Sequence, residues 1–215
     1  MNVSRRVTRI VREFQEKGIR KTSSRILWDV KVYRRVLLME RSLDEPSPEV
    51  VPRVPVVFDR LKETEVDEYI RFSPEATPAV IRARLDRGDQ CFVARHAGQI
   101  VNAGWACTSS TASIYEWVRE IKLAPGEVFL TEAFTLPHFR NQKIQQARHS
   151  WMLRMLRDAG FRRAIGQVRL DNSAQIRALE SVGYHPFAVV GYVKLGRWRR
   201  DFSGPPPSHR GPLQS

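Results

Sequence analysis

Residues 134–156, FTLPHFRNQKIQQARHSWMLRML, pass from an apolar run through a basic turn into an amphipathic helix. The run that ends at Pro137 has the composition of a strand, and Gly160 stops the helical pattern. A strand that enters a helix through a short turn leaves several backbone N–H groups without intrahelical partners. This segment therefore predicts a layered fold of strands and helices, with a candidate phosphate site at the turn.

The order of elements extends this pattern along the chain. From Val50 onward, the residues predict a strand, two helices, three strands, a helix, a strand, a helix and one or two final strands. The first two helices are expected to begin near Asp59 and at Thr77, which precedes Pro78. Elements that alternate in this way pack in layers. We therefore predict the α/β (α+β) class, with a mixed central sheet flanked by helices.

The domain organisation follows from length and from one proline-rich segment. The chain has 215 residues, which is enough for one ordinary domain with appendages. The segment DEPSPEVVPRVPV holds four prolines and indicates a boundary. We predict an N-terminal extension over residues 1–46, a main domain over 47–202 and a flexible tail over 203–215.

The extension is expected to contain an amphipathic helix and then a strand-like segment. An apolar stripe runs from Val3 to Phe14, and four arginines occupy the opposite face. We interpret this helix as one that docks on the domain or on the partner subunit of a homodimer. A membrane-surface helix and a transit peptide are the alternatives.

Composition limits the partners and the compartment. The net charge of +13 favours anionic partners, but the sequence has neither zinc-finger spacing nor an aromatic RNA-binding signature, which argues against nucleic acid. No apolar stretch approaches the ~20 residues of a membrane span. Cys91 and Cys107 lie in apolar runs, and no secretory signal is recognised, so we expect reduced thiols in a cytoplasmic protein. The five histidines are scattered, and no metal site is expected.

A second segment, DNSAQIRALESVGYHPF, places Asn172 at a helix start, Gly183 after the helix and Tyr184 where the next strand begins. Together with the turn after Pro137, this segment resembles the GNAT superfamily of acyl-CoA-dependent N-acyltransferases. The similarity in element order runs from about Val50 to Trp198.

Within the turn, Arg140 matches the leading residue of the family motif R/Q-x-x-G-x-G/A, and Ile144 matches its usual aliphatic position. Lys143 and Gln145 stand where the family usually has glycines. We expect ordinary φ angles at both, because they open a helix, so that the substitutions reduce contact room and leave the fold intact. Leu179 stands where many members carry a tyrosine that protonates the departing thiolate.

The resemblance implies acetyl-CoA or another acyl-CoA as co-substrate, with no metal. Its pyrophosphate would lie at the turn, and its pantetheine arm would pair with the backbone of the preceding strand. The residues implied for the coenzyme are Phe134, Thr135, Leu136, Arg140, Asn141, Gln142, Lys143, Ile144, Gln145 and Asn172.

Two residues are predicted to be catalytic. Glu132 lies on the same strand near the expected acyl end and is the candidate base, acting directly or through water. The alternative for Glu132 is an ion pair with an arginine, and His138 is a second candidate base. Tyr184 is the candidate acid, with His149 or water as alternatives. Four further residues are expected either to line an acceptor pocket or to belong to the core: Asn102, Trp105, Tyr115 and Trp117.

The resemblance thus implies an N-acyltransferase, most simply an N-acetyltransferase, that acts on a primary amine of a small molecule. The positive charge favours an acidic acceptor. The alternatives are a non-catalytic binding or regulatory protein of the same shape, and membrane or nucleic-acid binding through the basic N-terminal helix.

Overall fold

The computed structural model describes residues 33–114 and 119–206. The predicted N-terminal helix, Tyr115, Trp117 and residues 207–215 of the predicted tail lie outside the described residues. Within them, the strands are β1 (Tyr33–Ser42), β2 (Val57–Arg60), β3 (Gln90–His96), β4 (Gln99–Cys107), β5 (Thr111–Ile114), β6 (Arg119–Lys122), β7 (Glu127–Thr135), β8 (Arg163–Arg169), β9 (His185–Leu195) and β10 (Trp198–Gly204). The helices are α1 (Val66–Phe72), α2 (Pro78–Asp86), α3 (Ile144–Asp158) and α4 (Ser173–Glu180).

Eight of these strands form one sheet in the order β10-β9-β1-β8-β7-β4-β3-β2, and β5 pairs with β6 in a separate hairpin. Neighbours in the large sheet are antiparallel, except for the parallel pair β7 and β8. The predicted mixed central sheet flanked by helices is confirmed.

Alternate residues of the strands feed cores on opposite faces of the sheet. Phe92 packs in a cluster with residues of α3, whereas its neighbours Cys91 and Val93 pack in a cluster with α1 and α2. Thr77 caps α2 as predicted, since its Oγ1 accepts a hydrogen bond from Val80 N at 3.4 Å. Asp59, however, lies in β2 and not at a helix start, because α1 begins seven residues later, at Val66.

Strand β1 lies inside the sheet, between β8 and β9 and antiparallel to both. We predicted that this strand-like segment belonged to an extension that ended at residue 46, and the structure differs. Leu37 and Met39 pack in the cluster of α3, while Val36 and Leu38 pack in a cluster on the other face. A strand that is apolar on both sides must be covered on both faces, which an interior position in the sheet provides.

Strands β7 and β8 separate partway along their length. Their pairing runs only from Glu127 and Arg163 to Leu130 and Gly166, although both strands continue. Just beyond, β7 has an extra residue relative to β4, because the register shifts between Ala103 and Trp105. The sheet therefore opens between β7 and β8, next to a β-bulge in β7.

No helix in residues 33–114 and 119–206 is long and apolar enough to cross a bilayer.

Candidate active site

The turn that links β7 to α3 borders an open cleft of about 280 Å³. The cleft lies between this turn and the start of α4, so it joins the two segments that the sequence singled out. Eight of the ten residues implied for the coenzyme line it, and Phe134 and Leu136 do not. The eight are Thr135, Arg140, Asn141, Gln142, Lys143, Ile144, Gln145 and Asn172.

The first amides of α3 face this cleft without partners. The N–H groups of residues 143–146 have no hydrogen-bond acceptor in the described parts of the chain, and Lys143 has no capping side chain. The first intrahelical bond is donated by Ala147 N to Lys143 O at 3.0 Å. Consecutive unpaired amides at the positive end of a helix suit an anion.

Lys143 adopts a left-handed backbone conformation, with φ of 57°. We expected ordinary φ angles in the first helical turn, and at Lys143 this expectation is wrong. Lys143 is the residue that precedes the first helical residue, Ile144. Asn141 is also left-handed, with φ of 62°. A left-handed residue on each side of Gln142 curls the backbone into a tight loop, in which glycine would be the least strained residue.

Side chains and a neighbouring segment hold the loop in place. Arg53 N donates to Gln142 O at 2.9 Å, and the Arg53 guanidinium reaches Asn141 O at 3.4 Å. Arg140 Nε donates to Thr135 O at 3.3 Å, which ties the turn back to the end of β7. Sequence reasoning missed Arg53, because it assigned the proline-rich segment only as a boundary.

The two side chains that stand in place of the motif glycines differ in direction and exposure. The Gln145 amide nitrogen is 3.4 Å from Gln175 Oε1, so this side chain turns toward α4, and the Lys143 side chain is exposed. Asn172 caps α4 by accepting a hydrogen bond from Gln175 N at 3.1 Å. The cleft thus stays open between the two helix starts.

At the end of β7, one residue directs its backbone N–H and C=O groups toward the cleft. Leu136 N donates to Val101 O at 3.0 Å, so this amide is already used within the sheet. Successive residues of an antiparallel strand direct their backbone groups to opposite sides. Thr135 therefore points toward the opening beside β8, in agreement with its contact to Arg140 and its place in the lining of the cleft.

A buried polar network connects the end of β7 to α3. Asn102 is fully buried, and its Nδ2 donates to Phe134 O and to Thr135 Oγ1, both at 2.8 Å. Its Oδ1 accepts from Arg148 Nε at 2.6 Å. Burial lowers the pKa of Arg148 to about 10, which still leaves the guanidinium charged at neutral pH. The sequence suggested Asn102 as an acceptor-pocket residue, but its amide is committed to this network.

Glu132 lies in the bulge of β7, with φ of 51° and a side chain that is 57% exposed. Its Oε2 is 2.5 Å from Arg84 Nη1, so the ion pair considered as an alternative is present. The other carboxylate oxygen has no hydrogen-bond partner within the described residues. Glu132 is therefore ion-paired with Arg84, partly open to solvent and located about 10 Å along β7 from Thr135.

Arg84 lies over Trp105, with its guanidinium carbon 4.0 Å from the ring centroid. Trp105 is fully buried and donates from Nε1 to Tyr69 Oη at 2.9 Å. The indole therefore belongs to the core beneath Arg84 and not to an open acceptor pocket. Asp89, which is also buried, lies 3.5 Å from Arg84 Nε. No sequence motif pointed to Arg84.

Tyr184 does not line the cleft. It is only 3% exposed, and its hydroxyl is 3.2 Å from His149 Nε2. Burial raises the pKa of Tyr184, which keeps the phenol protonated, and burial also lowers the pKa of His149 to about 3. Leu179 is buried in the same cluster, while His138 is exposed beside the turn. The structure thus separates the two predicted catalytic residues, with Glu132 at the opening and Tyr184 in the interior.

Comparisons with known proteins support the fold. No family model matches the sequence, and no curated protein matches it either. Among solved structures, a putative GNAT-family acetyltransferase from Novosphingobium aromaticivorans superposes with a TM-score of 0.54 at 17% identity, over 74% of this chain and 62% of that chain. A GCN5-related N-acetyltransferase from Sphaerobacter thermophilus superposes with a TM-score of 0.52 at 14% identity, over 79% of this chain and 54% of that chain.

A third similar structure is the GCN5-related glucosamine N-acetyltransferase region of a fungal multidomain GH3 β-N-acetylglucosaminidase. It gives a TM-score of 0.53 at 13% identity, over 86% of this chain and 23% of that chain. This chain spans less than two thirds of the length of each of the three proteins, and at these identities the likeness concerns the fold. The open sheet, the helix arrangement and these superpositions together show that the chain has the fold of the GNAT superfamily of N-acyltransferases.

Proposed function

We propose that this protein is an N-acyltransferase that moves an acyl group, most simply acetyl, from acyl-CoA to a primary amine of a small molecule. The observation that carries the proposal is the row of unpaired amides at the start of α3, which opens onto the gap between β7 and β8. This arrangement would place an anion site next to an extended groove. Coenzyme A, which has a pyrophosphate and a linear pantetheine arm, needs both.

The coenzyme pyrophosphate would be held by the amides of residues 143–146. Arg140 and Lys143 are exposed beside these amides and would add charge-assisted hydrogen bonds. Thr135 is the residue of β7 whose backbone would pair with the pantetheine arm. Phe134 and Leu136, which the resemblance also implied, support the groove through their contacts to Asn102 and Val101.

The acyl end would lie near the bulge, where we propose Glu132 as the base. Its carboxylate is exposed, and the oxygen that Arg84 does not contact can accept a proton from an ammonium acceptor, directly or through water. Proton removal leaves the amine nitrogen with the lone pair that the reaction needs.

In the reaction, the amine nitrogen bonds to the thioester carbonyl carbon, the carbon–sulfur bond breaks and the thiolate receives a proton. The chain contributes the position of the carbonyl against the amine and the removal of the amine proton by Glu132. We assign delivery of the thiolate proton to water, because the Tyr184 hydroxyl lies in the interior beside His149.

The acceptor and the compartment are inferred from charge and from the thiols. A net charge of +13 favours an acceptor with an acidic group, although the anionic coenzyme also benefits from it. Both cysteines are free and buried, which is consistent with the cytoplasm.

Calorimetric titration with acetyl-CoA tests the coenzyme site. We expect binding in the micromolar range, weakened at least tenfold in an Arg140→Ala, Lys143→Ala double variant, because each removed cation contributes a charge-assisted hydrogen bond. The matched control is Arg60→Ala, Arg71→Ala, which removes two exposed arginines elsewhere and should bind as the wild type does. Absence of binding to acetyl-CoA and to longer acyl-CoA would favour the non-catalytic alternative.

Glu132→Gln tests the base. With an amine acceptor identified by screening, we expect kcat to fall about a hundredfold or more while the affinity for acyl-CoA is unchanged. Unchanged turnover in this variant would remove Glu132 from the mechanism.

A further inference from the structure

The hairpin of β9 and β10 forms one edge of the large sheet. Its strands are joined by the two-residue turn Gly196 and Arg197, and all seven residues from 194 to 200 are exposed. We call residues 194–200 the hairpin tip. It lies at the opposite edge of the sheet from β2, and none of its residues lines the cleft at the start of α3.

The hairpin tip exposes two large apolar side chains next to each other. Leu195 is 61% exposed and Trp198 is 54% exposed. The two residues are directly paired across the hairpin, so their side chains lie on the same face of the sheet. Because these leucine and tryptophan side chains are exposed at the end of a hairpin, burial in the core of this domain does not stabilise them.

Cations flank this apolar pair on both faces of the hairpin. Lys194, Arg197 and Arg200 form no ion pair within the described residues. Arg199 pairs with Asp201 at 2.8 Å and lies over the Tyr192 ring. Asp201 is the only acidic residue between 185 and 204. The hairpin tip therefore has a strong positive charge that its own strands leave unbalanced.

We propose that the hairpin tip binds the surface of an anionic lipid bilayer. Trp198 and Leu195 enter the headgroup region, where tryptophan is favoured because it has both an apolar ring and a polar N–H. Lys194, Arg197 and Arg200 contact the lipid phosphates around them. A mixed surface of exposed apolar side chains and unpaired cations has the two attractions that reversible membrane binding requires.

Two other occupants fit this surface less well. Edge-to-edge pairing of β10 with a second copy would bring two positively charged strands together, which is unfavourable. Nucleic acid would use the cations, but proteins that bind single strands stack successive bases on several aromatic rings, and the hairpin tip has only one. Only contact with an apolar environment would stabilise the exposed Leu195 side chain.

Sedimentation of the full chain with vesicles tests this proposal. We expect binding to phosphatidylcholine vesicles that contain 30% phosphatidylglycerol, and little binding to pure phosphatidylcholine. Each unpaired basic residue contributes about fivefold at such a surface. The variant Lys194→Gln, Arg197→Gln, Arg200→Gln should therefore bind about a hundredfold more weakly, and Leu195→Ser, Trp198→Ser should also bind more weakly.

A charge-matched control separates the hairpin tip from the overall positive charge. The variant Arg60→Gln, Arg71→Gln, Arg82→Gln removes three exposed arginines elsewhere and should bind nearly as the wild type does. Failure of the wild type to bind anionic vesicles would overturn the proposal, and so would equal losses in the two triple variants. Tighter binding to single-stranded RNA that needs Trp198 but not Leu195 would assign the hairpin tip to nucleic acid instead.

Discussion

Arg148 donates a hydrogen bond from Nε to Asn102 Oδ1 at 2.6 Å, entirely within the interior. Asn102 in turn donates to Phe134 O and Thr135 Oγ1 at the end of β7. This chain of contacts joins the second turn of α3 to the strand that borders the open gap. It therefore sets the position of the unpaired amides relative to the groove, and with it the geometry of the proposed coenzyme site.

Asn102→Ala is expected to lower the free energy of unfolding by about 2 to 4 kcal/mol. The substitution leaves the charged Arg148 guanidinium in the interior without its oxygen acceptor, and within the described residues its remaining hydrogen-bond partner is Met152 Sδ at 3.4 Å. Urea unfolding measures the loss. Thr135→Val, which removes only the hydroxyl partner of Asn102, is the control and should cost about 1 kcal/mol. An Asn102→Ala variant as stable as the wild type would contradict this account of the network.

Gly104→Ala is expected to destabilise the protein by about 1 to 3 kcal/mol, because the added methyl group overpacks the interior. A Cβ at this position would lie 2.5 Å from Arg148 Nη2, and Arg148 is fully buried. If this contact is the cause, Gly104→Ala should cost less in an Arg148→Met background, since methionine adapts its shape. A double-mutant cycle by urea unfolding measures the coupling. Additive effects would show that the strain arises elsewhere.

Lys143→Gly is expected to stabilise the fold relative to Lys143→Ala by about 1 kcal/mol. Both variants lose the charge, but only glycine relieves the left-handed backbone at φ of 57°. Thermal unfolding should show a difference of about 2 to 4 °C for a chain of this length. Gln145→Gly serves as the opposite control, since Gln145 lies inside α3 and glycine there should destabilise. Equal stabilities of the two Lys143 variants would mean that the loop relaxes in solution.

Stability is expected to fall as the pH decreases below about 6.5, in part because of His149. Burial and the charges of Arg148 and Arg41 lower its pKa to about 3 in the folded protein, against an ordinary value of 6.5 in the unfolded chain. Between these values the unfolded state binds more protons, so acid favours unfolding. The His149 ring is partly exposed, which reduces this destabilisation. We expect the free energy of unfolding to fall by about 1 to 2 kcal/mol between pH 7 and pH 5.

Urea unfolding of wild type and His149→Gln across this range isolates the contribution of His149. Other groups titrate in both proteins, so the difference between the two curves reports the histidine alone. The wild type should lose more stability than the variant as the pH falls. Parallel curves would mean that His149 has the same pKa in the folded protein as in the unfolded chain.

Local patterns in the sequence were sufficient for most of the elements and for the turn, but they missed the β5–β6 hairpin and the start of α1. Thr77 followed by Pro78 favours a helix start, and the change in pattern around Pro137 indicates a strand that ends before a helix. Arg140, Lys143 and Asn172 line one cleft, and their role in coenzyme binding stays a prediction.

The tertiary structure decided the features that depend on residues far apart in sequence. The position of β1 between β8 and β9 needs partners more than a hundred residues away, so no local pattern could place it. The same is true of Arg84 and Glu132, of Arg148 and Asn102, and of the interior position of Tyr184. Sequence by itself determined most of the helices and strands and singled out the turn as a candidate anion site, because periodicity and capping act within a few residues. Which charged side chains are paired, buried or left at the opening was decided only by packing, because those contacts exist only once the sheet has brought distant strands together.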